Sequence, residues 1–336
     1  MTSPSRPARR RPHLAAVGVV LALVGLLTGC GLRMETPPPS PRTVDANEVA
    51  RERAVTDSVD LEAAAATPGA DPGKPVNKIR ATIVAAAHAH VDQLGGPYVA
   101  GTPSPTGSPT PSTGPSAAPT STASAAPASG VVVVARLVLG ATHAREDAET
   151  VPDGGLARLL ASVSAARLLQ ARQLAAADKL VPPSLSHATM PDALPAGVEP
   201  SALSALVAGE DEAGYGYEVI AAKLSGPERT SALDRAGEHR TRAEAWARLG
   251  TIAETHRDPR RAAYALPKGL DDPAAAKALA KSMAQALAVS YAALVADAEP
   301  GSRAELISSL VAMSAEAIDW GAPVPVFPGL PERAAR

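Results

Sequence analysis

Apolar positions recur along most of this chain at steps of three and four residues, the period of an amphipathic helix. Asp45-Ala46-Asn47-Glu48 has the form of a capping box and predicts a helix to about Ala66. Asn77 is expected to cap a second helix to about Leu94, with Ile79, Ile83, Ala86, His90 and Leu94 on its apolar face. Two more follow over Val131 to Glu149 and Leu156 to Leu180. Val131 to Val134 alone favours a strand, but no partner strand is found along the chain, so helix is predicted there too. In the C-terminal half, a helix from Ser201 to Leu224 lines up Leu203, Leu206, Glu210, Ala213, Tyr217, Ile220 and Leu224. A second runs from Pro227 to about Thr255, and Asp271-Asp272-Pro273 opens a third through Leu279, Met283, Leu287, Tyr291 and Leu294. The fourth shows Leu306, Leu310, Met313, Ala317 and Trp320 at 3-4 spacing. The pattern predicts an all-α protein, with a four-helix bundle at the C-terminus preceded by a second helical module.

The breaks in this pattern set the organisation. Arg6, Arg9, Arg10 and Arg11 precede an apolar run from Leu14 to Leu27, which is too short to span a bilayer comfortably but long enough for a signal-peptide core. Twin-arginine export is disfavoured, because Pro12 and His13 follow Arg9-Arg10 where apolar residues are wanted. Leu27, Thr28, Gly29 and Cys30 resemble the lipobox of bacterial lipoproteins. The resemblance implies cleavage before Cys30, a diacylglycerol on its sulfur, and anchoring to the outer face of the cell membrane. Residues 1–29 are therefore expected to be a lipoprotein signal peptide and 30–42 a Pro-rich tether. Residues 43–182 form the N-terminal helical module, with a disordered Pro/Ser/Thr insertion at 101–130. A Pro-rich linker at 183–199 then leads into the bundle at 200–336.

Composition removes several classes of function. Lys and Arg number 32 against 34 Asp and Glu, which leaves no basic footprint for nucleic acid. The single cysteine, Cys30, excludes a disulfide framework and fits a lipidated thiol. Aromatics are 2% of the chain, so stacking platforms are nearly absent and any core is built from Ala, Leu and Val.

Three segments of the C-terminal half carry a further resemblance. Glu210-Asp211-Glu212-Ala213-Gly214-Tyr215-Gly216-Tyr217, Glu238-His239-Arg240-Thr241-Arg242 and Tyr264-Ala265-Leu266-Pro267, with the closing Phe327-Pro328-Gly329-Leu330-Pro331, are similar to the actinobacterial DUF4439 family. The resemblance implies a ferritin-like four-helix bundle over roughly Pro200 to Arg336, and no activity. A di-iron site in that fold needs a Glu from each of two helices and Glu-x-x-His from each of the others. Here Glu210 sits among apolar neighbours, but the pair on the second helix is reduced to Ala236-x-x-His239. The third helix offers Ala284 and Gln285, and Glu316 on the fourth falls off the Leu310-Met313-Ala317 stripe with no His after it. Glu210 and His239 alone are too few ligands, so no cofactor is expected and iron or manganese is disfavoured. Instead Glu210 is expected to pair with His239, Arg240 or Arg242, forming a buried polar cluster of Glu210, His239 and Arg242.

Other chemistry is sparse. His90 reads as a core histidine, His143 and Glu146 are one i, i+3 ligand pair without a second, and Arg257, Arg260 and Arg261 form a basic loop. No nucleophile elbow or phosphate loop is present. The expectation is a lipid-anchored, non-catalytic binding or scaffold protein of the envelope, bound to membrane through Cys30 and to a protein partner. The alternatives are a metal-handling bundle using Glu210 and His239, and a small-ligand lipoprotein with its pocket between the two halves.

Overall fold

A computed structural model describes residues 45–67, 71, 73–97, 128–185, 188 and 190–334. Residues 1–29, the 30–42 tether, Leu27 to Cys30 and nearly all of the 101–130 tract lie outside them. The described residues form helices and connections, with no strand. Four helices make the first half: α1 (Ala46–Ala65), α2 (Pro75–Leu94), α3 (Gly130–Thr150) and α4 (Gly154–Ala177). The second half, after a 3-10 turn at Pro200–Ala202, holds α5 (Leu203–Lys223), α6 (Gly226–Leu249), α7 (Pro273–Asp297), α8 (Ala304–Asp319) and the short α9 (Pro331–Ala334).

The helix ends follow local chemistry. Asp45 caps α1, its side chain accepting the Glu48 amide at 2.9 Å. The Glu48 carboxylate pairs with Arg51. The cap of α2 corrects the sequence reading: the helix starts at Pro75 after Lys74, and Asn77 lies in its first turn. Pro at the first position is preset for helical φ and loses no needed N–H, so it outcompetes a cap two residues later. The 101–130 boundary is also corrected, since Ser129 caps α3 and Gly130 is already helical. The end of α6 near Thr255 is corrected to Leu249, because Gly250 closes the helix and Thr251 turns into the left-handed region at φ 52°.

Each half pairs its helices in the same way. In the first, α1 packs on α2 and α3 on α4, while α1 meets α3 and α2 meets α4 across the bundle. In the second, α5 packs on α6 and α7 on α8, with α5 against α7. Both are thus two hairpins joined by a longer connection, the connectivity of ferritin-like bundles. Residues 45–336 form one compact unit, because α4 packs on both α7 and α8. Most of α4 is buried all round, from Leu159 to Ala171. One continuous core therefore runs from Ala50 and Leu160 to Tyr291 and Leu330. A smaller cluster around Leu61, Ile83, Leu137 and Leu174 fills the far end of the first bundle.

Three features fasten the halves together. Arg303, before α8, donates to the carbonyls of Ala148 (2.9 Å) and Val151 (2.7 Å) at the end of α3. The linker is docked over 191–198: Pro191, Pro195 and Val198 are buried, and Ala196 O accepts the Glu299 amide at 2.7 Å. The closing segment Val326 to Leu330 lies across α2 and α4, with Ser162 donating to Pro328 O (2.7 Å) and His90 to Val326 O (2.9 Å).

Candidate functional site

All four long helices of the second bundle send polar groups to one point in its core. Glu210 and Tyr217 come from α5, Arg235, His239 and Arg242 from α6, Tyr291 from α7 and Glu316 from α8. Glu210, His239 and Glu316 are wholly buried. The expectation that Glu316 points off the core is corrected. It rested on a single narrow stripe, but ten of the sixteen residues of α8 are buried, and the flank that carries Glu316 faces Tyr217 on α5 and Arg235 and His239 on α6.

His239 sits between the two carboxylates. Nδ1 lies 2.6 Å from Glu210 Oε2 and Nε2 lies 3.0 Å from Glu316 Oε1. An ionised carboxylate only accepts, so both ring nitrogens donate and the imidazole is protonated. Burial opposes that charge, but the Glu210 carboxylate and then Glu316 outweigh it and raise the His239 pKa to about 9. Burial likewise opposes the Glu316 charge, yet His239, Arg235 and Tyr217 hold its pKa down at about 2. Glu210 is also held below its ordinary value: His239, Arg242 and Tyr291 together overcome the burial that raises it.

The remaining lone pairs are occupied. Tyr291 donates to Glu210 Oε1 at 2.5 Å, and Trp246 Nε1 donates to the Tyr291 hydroxyl at 3.2 Å. Arg242 Nε approaches both Glu210 oxygens at 3.3 Å. Tyr217 donates to Glu316 Oε1 at 2.6 Å, and its ring stacks on His239 at 5.3 Å. Arg235 donates to Glu316 Oε2 at 2.9 Å and to Asp319 at 3.2 Å. Three cations (His239, Arg242, Arg235) meet three carboxylates (Glu210, Glu316, Asp319) at hydrogen-bond distance, with Glu238 farther from Arg235 at 3.9 Å, so every buried charge is paired. Arg240 stays outside it, pairing with Asp211 and Glu218.

This donor set does not fit a di-iron centre. A metal ligand needs a free lone pair, and here both imidazole nitrogens carry protons toward carboxylates while the carboxylates are satisfied by guanidinium, imidazolium and phenol. The side-chain cations hold the positive charge that metals supply in the di-iron version of the fold. The other sequence candidates are dispersed. His143 bonds Asp57 at 3.0 Å while Glu146 faces Arg53 at 3.6 Å, so they share no site. His90 is wholly buried, and burial and then Arg167 depress its pKa to about 3, which leaves it neutral. Of the basic loop, Arg260 is neutralised by Asp258 and Glu244, and the Arg261 amide is pinned to Asp211 at 3.0 Å.

Three members of the network escape a reading of helical stripes. Tyr217 and Tyr291 lie on apolar faces and look like core aromatics, and Arg235 lies at the edge of α6. A buried Glu on a neighbouring helix is the only sequence sign that such hydroxyls have a partner. The first bundle holds a counterpart missed entirely: Arg167, wholly buried, donates to Gly140 O (2.8 Å), Ala54 O (2.9 Å) and Ser58 Oγ (2.7 Å). Gly140 leaves room for the guanidinium, since a Cβ there would lie 2.9 Å from Arg167 Nη1 and the side chain would have to shift.

No curated protein and no solved structure shows significant similarity to this chain. Residues 202–332, which hold α5 to α8, the buried network and the closing segment, match the family model described as a domain of unknown function, DUF4439, and the chain contains a domain of that family.

Proposed function

We propose that this protein is a lipid-anchored lipoprotein of the bacterial envelope, of actinobacterial type, whose helical body is a non-catalytic binding module on the outer face of the cytoplasmic membrane. The observation that carries the non-catalytic part is the self-paired network. A bundle that stores or activates metal keeps open carboxylates in its core, and this one closes them with His239, Arg242 and Arg235. The anchoring part is supported by Leu27-Thr28-Gly29-Cys30 behind a basic and then apolar leader. Two acyl chains at about 0.8 kcal/mol per buried methylene hold such a protein stably at a bilayer.

The test uses the full chain expressed in a bacterial host and extracted in detergent without chelator. Iron, manganese and zinc are measured against protein, and lipid on Cys30 by mass spectrometry. Expected are substoichiometric metal and a diacylglyceryl mass that Cys30→Ser abolishes. One metal or more per chain, lost in Glu210→Ala, would replace this reading with a metal-handling one.

A further inference from the structure

A cavity of about 860 Å³ opens between α4, α6, α8 and Pro182, Ser184, Leu185, Ala188 and Met190 after α4, beside the buried network. That volume lies within the range of small-ligand sites, roughly 300–1,000 Å³. Its walls differ in kind. Helix α6 presents a polar line of Ser231, Asp234, Arg235, Glu238 and Arg242, whereas the other elements bring Leu169, Leu185, Met313 and Ile318 together with the polar Arg172, Gln173, Ser184 and Asp319. Ser231, Asp234 and Glu238 are exposed, so the α6 side of the cavity is open to solvent and a polar occupant can meet these charges along it.

The uncommitted groups define what that occupant offers. Asp234 makes no ion pair or hydrogen bond with any described residue, and Glu238 has only Arg235 at 3.9 Å. At the other end Arg242 is 2% exposed, and its Nε is engaged with Glu210. Its Nη1 makes no hydrogen bond with any described residue. The wall thus has acceptors at Asp234 and Glu238 and a donor at Arg242. Asp234, Glu238 and Arg242 are spaced i, i+4, i+8, so the line is about 12 Å long at 1.5 Å per residue. An extended peptide covers that length in about three or four residues at 3.3 Å each.

We propose that this cavity binds a short apolar peptide, with its amino terminus at Asp234 and Glu238, its carboxylate at Arg242 and its side chains against the α4–α8 wall. The cavity's Ser184, Ser231 and Gln173 are available to the peptide groups between. The proposal rests on the binding-module reading above and names the ligand of that module.

The experiment is calorimetric titration of the detergent-extracted full chain with trileucine, N-acetyl-trileucine and trileucine amide. Expected is saturable one-to-one binding of trileucine, weakened about tenfold or more by acetylation and by amidation, a difference of about 1.4 kcal/mol each. Asp234→Asn with Glu238→Gln, both exposed positions that leave the core intact, should reproduce the effect of acetylation. Ala315→Trp, which fills the cavity, should abolish binding of all three probes while circular dichroism stays helical. No saturable binding of trileucine overturns the proposal, as does equal binding of the free and acetylated peptides. If the same preparation is metal-free, that result removes the ligand and leaves the binding-module reading; stoichiometric metal removes the reading itself.

Discussion

His239 carries a full charge in a dry core, and its stability contribution has a defined pH window. Its pKa is about 9 in the fold against 6.5 when unfolded, so the contribution is complete below pH 6.5 and is lost as pH rises through about 9. The shift is worth about 3 kcal/mol. Glu316 works in the opposite direction: its contribution is present above 4.5 and disappears as pH falls through about 2. His239→Gln should remove the alkaline loss along with the charge, leaving Glu210 and Glu316 facing each other with less compensation. Urea unfolding at pH 6 and at pH 9 should show the variant less stable by about 3–5 kcal/mol at pH 6 and the gap narrowing at pH 9. An equal gap at both values would mean that the imidazole is neutral in the fold.

At the scale of elements, α8 shows how burial redirects a side chain. Glu316 sits at the margin of the apolar stripe of α8, and it becomes internal because that margin faces α5 and α6, where Tyr217, His239 and Arg235 meet its carboxylate. The closing segment likewise draws its role from its neighbours. Phe327 packs edge-on to His90 at 5.1 Å, and Gly329 is in the left-handed region at φ 74° with Ala288 O only 2.7 Å from where a Cβ would lie. Gly329→Ala therefore meets both strain and a backbone clash and should cost about 2 kcal/mol or more, read by thermal unfolding. Hydrogen exchange should show the loss of protection spreading to α2 and α4, which the segment covers. Protection lost only within 326–334 would separate the segment from the joining of the halves.

At the scale of the whole molecule, two bundles of the same connectivity share one core, and each hides a cation at its centre: Arg167 in the first, His239 with Arg242 in the second. The halves are fused through α4, Arg303 and the docked linker. Calorimetry of the full chain should accordingly give one unfolding transition for residues 45–336, and two resolved transitions would show that the halves are energetically separate.

By itself the sequence determined the helices, their apolar faces and the pairing partners open to Glu210. These follow from local periodicity and from the rule that a buried carboxylate needs a counterion. Helix ends were legible where a cap or glycine acts alone, as at Asp45, and misread where Pro75 overrides Asn77. Glu316, Tyr217, Tyr291, Arg235 and Arg167 were not legible as one kind of residue, because each is defined by a partner at least 80 residues away on another helix. Periodicity says which face of a helix is apolar. Only the packing of the helices on one another decides how many faces are inside.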